Sequence, residues 1–89
     1  MASNYDGLRE KLSEAKWPAV YMFKFIVPAD NAKIAQVQDL FDSKEAQINM
    51  RKSKTGKFVS ISAKELMLNV DSIIERYKSA EKIEGLIAL

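Results

Sequence analysis

A small α+β domain is the fold class this sequence predicts, and three observations carry the prediction. Short runs repeat their apolar residues at helical spacing, other runs alternate apolar with polar residues as half-buried strands do, and a Gly-containing turn joins two of the alternating runs. With 89 residues there is room for one domain spanning 1–89, and at this size every large apolar residue counts toward a modest core. A composition 47% hydrophobic and 29% charged, with three Gly and two Pro, is that of a globular chain.

The elements follow in chain order. Tyr5, Leu8 and Leu12 recur at helical spacing, with Ser3 placed three residues before Asp6 as a cap, so a short helix is expected over about 4–15 before Trp17-Pro18 stops it. Gly7 weakens that helix by about 1 kcal/mol relative to Ala, so it needs packing to hold its shape. WPAVYMFKFIVP then reads as a strand, apolar throughout between its prolines except for Lys24. Alternation assigns Tyr21, Phe23, Phe25 and Val27 to the core face and Val20, Met22, Lys24 and Ile26 to the opposite one.

After Pro28, Asp30 or Asn31 caps a helix whose apolar stripe is Ile34, Val37, Leu40 and Phe41. QINMRKS sets Ile48 and Met50 inward against Gln47, Asn49 and Arg51, and KFVSISA sets Val59, Ile61 and Ala63 inward against Phe58, Ser60 and Ser62. Ser53-Lys54-Thr55-Gly56 lies between them, and its Gly supplies the positive φ a tight hairpin needs. Ser62 with Glu65 offers an early start for the next helix. Leu66 and Leu68 prolong the strand alternation instead, which favours a later start capped by Asn69 with Asp71. Val70, Ile73, Ile74 and Tyr77 form the stripe of that helix, Lys78 and Lys82 suit its C-terminal end, and Glu84–Leu89 reads as a last strand.

The order is a helix followed by β-α-β-β-α-β, which predicts a two-layer ferredoxin-like sandwich with an additional short N-terminal helix. WPAVYMFKFIVPADNAKI, the KSKTGKFVSISA hairpin and the ending EKIEGLIAL resemble the small bacterial YbeD-like family over nearly the whole chain. The resemblance implies a ferredoxin-like fold akin to the ACT regulatory domains, a sheet order of 4-1-3-2, and therefore a central position for the first strand. It also implies regulatory proteins linked to lipoate binding, with a protein partner in lipoate metabolism, and it brings no catalytic motif. The loop PADNAK lacks the Gly-containing turn at which ACT domains hold amino acids, so no such site is carried over.

Several function classes are disfavoured by what the chain lacks. Without His or Cys there is no Ser-His-Asp or Cys-His nucleophile, no imidazole or thiolate metal ligand and no general base poised near neutral pH. Asp39 with Asp42, and Glu81 with Glu84, are spaced i, i+3 on or near helices, the ordinary pattern of solvated surface charge. The glycines are scattered and form no phosphate-cradling loop. No catalytic residue, metal ligand or cofactor site is assigned, and the expectation is a non-enzymatic protein. Zero cysteines suit a reducing compartment, and the apolar runs are too short for a secretory leader or a membrane span, so a cytoplasmic location is expected.

What remains is the open face of the sheet. Met22, Lys24, Arg51, Phe58, Ser60 and Ser62 are the candidate ligand or partner residues, part apolar and part basic. One use of such a face is to be covered by the N-terminal helix or by a second subunit, which predicts a homo-oligomer and first of all a dimer. The other is to bind a partner protein, or a small anionic acyl ligand of lipoyl type, with Lys24 and Arg51 attracting the anion and Met22 and Phe58 contacting the apolar part. The alternative is an RNA-binding module using that face together with the basic hairpin of Arg51, Lys52, Lys54 and Lys57. The first and third strands offer only Phe58 where RNA-recognition domains stack bases on a pair of aromatics, which counts against it. A net charge of +2 adds no argument for nucleic acid by itself.

Overall fold

The computed structural model describes residues 5–41 and 44–89, so the Ser3 cap and the Asp42 carboxylate lie outside the described residues. Seven elements follow one another: α1 (Asp6–Leu12), β1 (Ala19–Pro28), α2 (Asn31–Gln38), β2 (Gln47–Lys52), β3 (Phe58–Met67), α3 (Val70–Glu81) and β4 (Ile87–Ala88). The strands form one antiparallel sheet in the order β2-β3-β1-β4, which is the expected order read from its other edge. β1 is central, paired with β3 along its whole length and with β4 at Phe25 and Ile26.

Alternation along β1 and β3 decides where the core lies. Phe23, Phe25 and Val27 from β1, and Val59, Ile61, Ala63 and Met67 from β3, are buried against Val37, Phe41, Ile73, Tyr77 and Ala80 from the helical side. Aromatic rings dominate the centre: Phe23 lies 5.4 Å from Phe41 and 5.3 Å from Tyr77, centroid to centroid, in the tilted arrangements that ring quadrupoles favour. Tyr21 is only half-buried, but its hydroxyl meets that of Tyr77 at 2.9 Å, so the polar tips of two core-side rings satisfy each other.

The helix boundaries have local causes. Asn69 caps α3, its side chain accepting from the Ser72 amide at 2.8 Å while the Asn69 amide donates back to Ser72 Oγ. The later start therefore holds, with Ser72 rather than Asp71 completing the cap. Asp30 caps α2 by accepting from the Ala32 amide. α2 ends at Gln38, so Leu40 and Phe41 lie past its last turn, yet Phe41 still reaches the core.

Three expectations need correction. α1 is shorter than 4–15 and does not cover the open face of the sheet. Its half-buried Tyr5, Leu8 and Leu12 pack against the helical side of the core, where Tyr5 stacks on Tyr77, Arg9 pairs with Asp71 and Trp17 Nε1 donates to the Leu12 carbonyl. Met50, assigned inward, is 51% exposed because β2 is an edge strand that the helices scarcely overhang; Gln38 Nε2 approaches its sulfur at 3.7 Å. The last strand is two residues long rather than six, and it is reached through Gly85 at φ +83°. A side chain there would also meet Pro28 Cγ at 3.0 Å, so this turn needs glycine on two counts.

One feature of the helical side has no counterpart among the sequence expectations. Glu65 projects from β3 toward α3, where Arg76 grips it through two bonds of 2.8 and 3.1 Å. The same guanidinium lies 5.5 Å from the Phe23 centroid and 5.0 Å from that of Phe41. An ion pair at this largely buried position is tolerable because both charges are satisfied and the cation also rests on aromatic faces.

Candidate functional site

The β1–β3 and β2–β3 registers arrange the open face as transverse rows. Met22 faces Lys64 and then Gln47; Lys24 faces Ser62 and then Asn49; Ile26 faces Ser60 and then Arg51; Pro28 faces Phe58. β4 adds Ile87 beside Ile26 at the opposite edge, and the Leu89 amide donates to the Lys24 carbonyl at 2.9 Å. Because directly paired residues in an antiparallel sheet point to the same side, these rows follow from register alone.

Two shallow hollows occupy this face, and they abut. One, of about 450 Å³, is predominantly apolar and lined by Ile26, Phe58 and Ile87, with Arg51, Lys52 and Ser60 at its border. The other, of about 460 Å³, is lined by Lys24, Asn49, Arg51, Ser60, Ser62 and Leu89. Arg51 and Ser60 belong to both.

Of the residues anticipated from sequence, Lys24, Arg51, Ser60 and Ser62 are brought together in the polar hollow, and Phe58 joins Arg51 and Ser60 in the apolar one. Met22, exposed in the neighbouring row beside Lys64, lines neither. The apolar partner of Phe58 is instead Ile87, which is 52% exposed. Pairing of the short last strand with Ile26 is what puts Ile87 there, and no periodicity can be read from two residues.

The electrostatics of the face are one-sided. Lys24 and Arg51 are exposed, and among the described residues neither has an acidic side chain within ion-pair distance. Nor do the side chains of Asn49, Ser60 and Ser62 make a hydrogen bond to any described residue. Residues 46–64 carry Arg51, Lys52, Lys54, Lys57 and Lys64 and no Asp or Glu. Lys54 and Lys57 flank the hairpin turn, where Gly56 takes φ +74° and the Ser53 amide donates to the Phe58 carbonyl at 2.9 Å. Lys24 is thus accommodated in a central strand by solvent, at none of the cost of a dry, unpaired charge.

The helical side differs. Burial, with the hydrogen bond from Tyr21, pushes the Tyr77 hydroxyl well above the usual tyrosine range, and burial together with Glu81 pushes Tyr5 up to about 12. Both stay protonated at neutral pH and serve packing. Among the described residues no group of His, Cys, Asp and Glu is arranged to hold a metal ion, and no helix is long and apolar enough to cross a membrane. In comparisons with known proteins, no family model, no curated protein and no solved structure matches the chain at a significant level.

Proposed function

We propose that this protein is a non-catalytic binding and regulatory module of ferredoxin-like architecture, of the kind the YbeD-like resemblance implies, working in the cytoplasm through the open face of its sheet. The observation that carries this reading is a carboxylate-free face on which Lys24, Arg51 and unpartnered hydrogen-bonding side chains border exposed Ile87 and Phe58. Such a surface favours a partner that brings negative charge and apolar area together, whether an acidic protein surface of lipoate metabolism or a small anion. The absence of His and Cys supports the non-catalytic part.

The test is recovery of the protein under mild conditions from its native cytoplasm, with mass spectrometry of co-purifying proteins and small molecules and sedimentation for oligomeric state. Phe58→Asp and Lys24→Glu are expected to remove what the unaltered chain retains, and Glu75→Lys on the helical side to leave it in place. If Glu75→Lys removes the partner while the two open-face variants keep it, the working surface is elsewhere and the reading fails.

Self-association through this face is the less favoured arrangement, because a two-fold axis would bring Lys24, Arg51 and Lys64 toward their own copies. The second reading, an RNA-binding module, has one specific support: the basic run 46–64 frames Phe58, an exposed aromatic. It predicts affinity for single-stranded RNA that falls steeply with added salt and with Lys52→Ala, Lys54→Ala and Lys57→Ala combined. Salt-independent binding, or none at low salt, would exclude it.

A further inference from the structure

Taking the open face as the working surface, we infer that its occupant is a small amphiphilic anion: one carboxylate or phosphate group carrying an apolar chain. The inference rests on the adjacency of the two hollows. The polar one gathers the Lys24 ammonium, the Arg51 guanidinium, the Asn49 amide and the hydroxyls of Ser60 and Ser62, all able to donate and none bonded to a described side chain. Cations with several neutral donors and no acceptor charge nearby are the chemistry that recognises an oxyanion, and Arg51 can meet it through two parallel N–H donors.

The apolar hollow begins where the polar one ends. Arg51 and Ser60 form the shared border, and beyond them lie Ile26, Ile87 and Phe58. A chain attached to the bound anion runs off across these side chains, whereas a bare anion leaves them wet and a plain hydrocarbon leaves the cations unanswered. Each hollow, at about 450 and 460 Å³, is of small-molecule size. The hollow on the helical side, lined by Asp39, Leu40, Ser72, Glu75, Arg76 and Ser79, does not offer the same chemistry: its guanidinium is already held by Glu65, and two carboxylates line it.

Amide-resolved NMR titration of the full chain tests this with octanoate and octyl phosphate as probes, and with octan-1-ol, octylammonium, acetate and inorganic phosphate as comparisons. Octanoate or octyl phosphate is expected to shift the amides around Lys24, Asn49, Arg51, Ser60 and Ile87, and the tighter of the two identifies the head group. Octan-1-ol, acetate and inorganic phosphate should each bind roughly tenfold or more weakly, the scale of losing one charge-assisted or one apolar contribution. Lys24→Gln and Ile87→Asp should each weaken the preferred probe by about tenfold, and Met22→Asp should leave it unchanged.

Equal binding of octan-1-ol or octylammonium would overturn the inference, as would a loss with Met22→Asp matching that with Ile87→Asp. Circular dichroism of each variant confirms folding, and Lys24→Arg, which keeps the charge, should restore most of the affinity lost with Lys24→Gln. If neither probe shifts any amide while Phe58→Asp still displaces the native partner, the amphiphile falls and the open face stands. Shifts confined to Asp39, Ser72 and Ser79 would remove both.

Discussion

The two faces of β1 are built from one continuous run of residues and have opposite fates. On one side Phe23, Phe25 and Val27 are fully buried under α2, α3 and Phe41; on the other Val20 is 66% exposed and Met22 41% exposed, with Lys24 between Met22 and Ile26. Both faces are rich in apolar atoms, so hydrophobicity alone does not separate them. What separates them is charge: the helical side admits Glu65 only in the grip of Arg76, whereas the open side holds Lys24 and Arg51 with nothing to neutralise them. A charge that is satisfied within the chain belongs to the architecture, and one left over is available to something else.

The sharpest way to break this comparison is to truncate matched residues. Phe23→Ala should destabilise the protein by about 4 kcal/mol, since it empties the ring cluster at the centre of the core, while Met22→Ala, one residue away, should cost less than about 1 kcal/mol. Urea denaturation of both reads the contrast, and similar costs would mean the open face is covered in solution. The charged pair of positions comes next. Glu65→Ala strands the Arg76 guanidinium between two rings and should cost about 3 kcal/mol, whereas Lys24→Ala should stay within about 0.5 kcal/mol.

Smaller effects sharpen the picture. Gly85→Ala should cost about 1–2 kcal/mol from the left-handed backbone alone, with the Pro28 contact added, and should move β4. NMR of Ile87 detects that movement directly. Alkaline titration probes the tyrosines: in the unfolded chain they ionise near pH 10, while Tyr77 and Tyr5 hold their protons higher in the fold. The folded form then binds more protons than the unfolded one above about pH 10, so stability is intact below that pH and declines as it rises further. Tyr77→Phe should flatten the decline, and thermal melts between pH 8 and 11, a range set by the ordinary tyrosine value of about 10, measure it.

The sequence makes the β1 faces legible because a period of two is unambiguous when one face is almost wholly aromatic or branched. The start of α3 is legible through Asn69, although its reciprocal partner is Ser72. α1 is different: Tyr5, Leu8 and Leu12 make a stripe too thin to say which surface it seeks, and only the stack on Tyr77 and the Asp71 pairing decide it. The Glu65–Arg76 pair spans two elements and leaves no local pattern. The candidate face was readable as a set of residues, but the division into a polar and an apolar hollow depends on the register of β4, which two residues cannot announce.

The basic run 46–64 also bears on how the molecule moves before it touches anything. A net charge of +2 describes a nearly neutral particle, yet the cations of β2, β3 and their hairpin are not interleaved with acids, while Asp71, Glu75, Glu81 and Glu84 follow in the last part of the chain. That separation gives the protein an electric dipole moment out of proportion to its net charge. In an anion's field it turns hairpin-first, so encounter is steered rather than random, and the association rate should fall with ionic strength more steeply than the total charge alone would dictate.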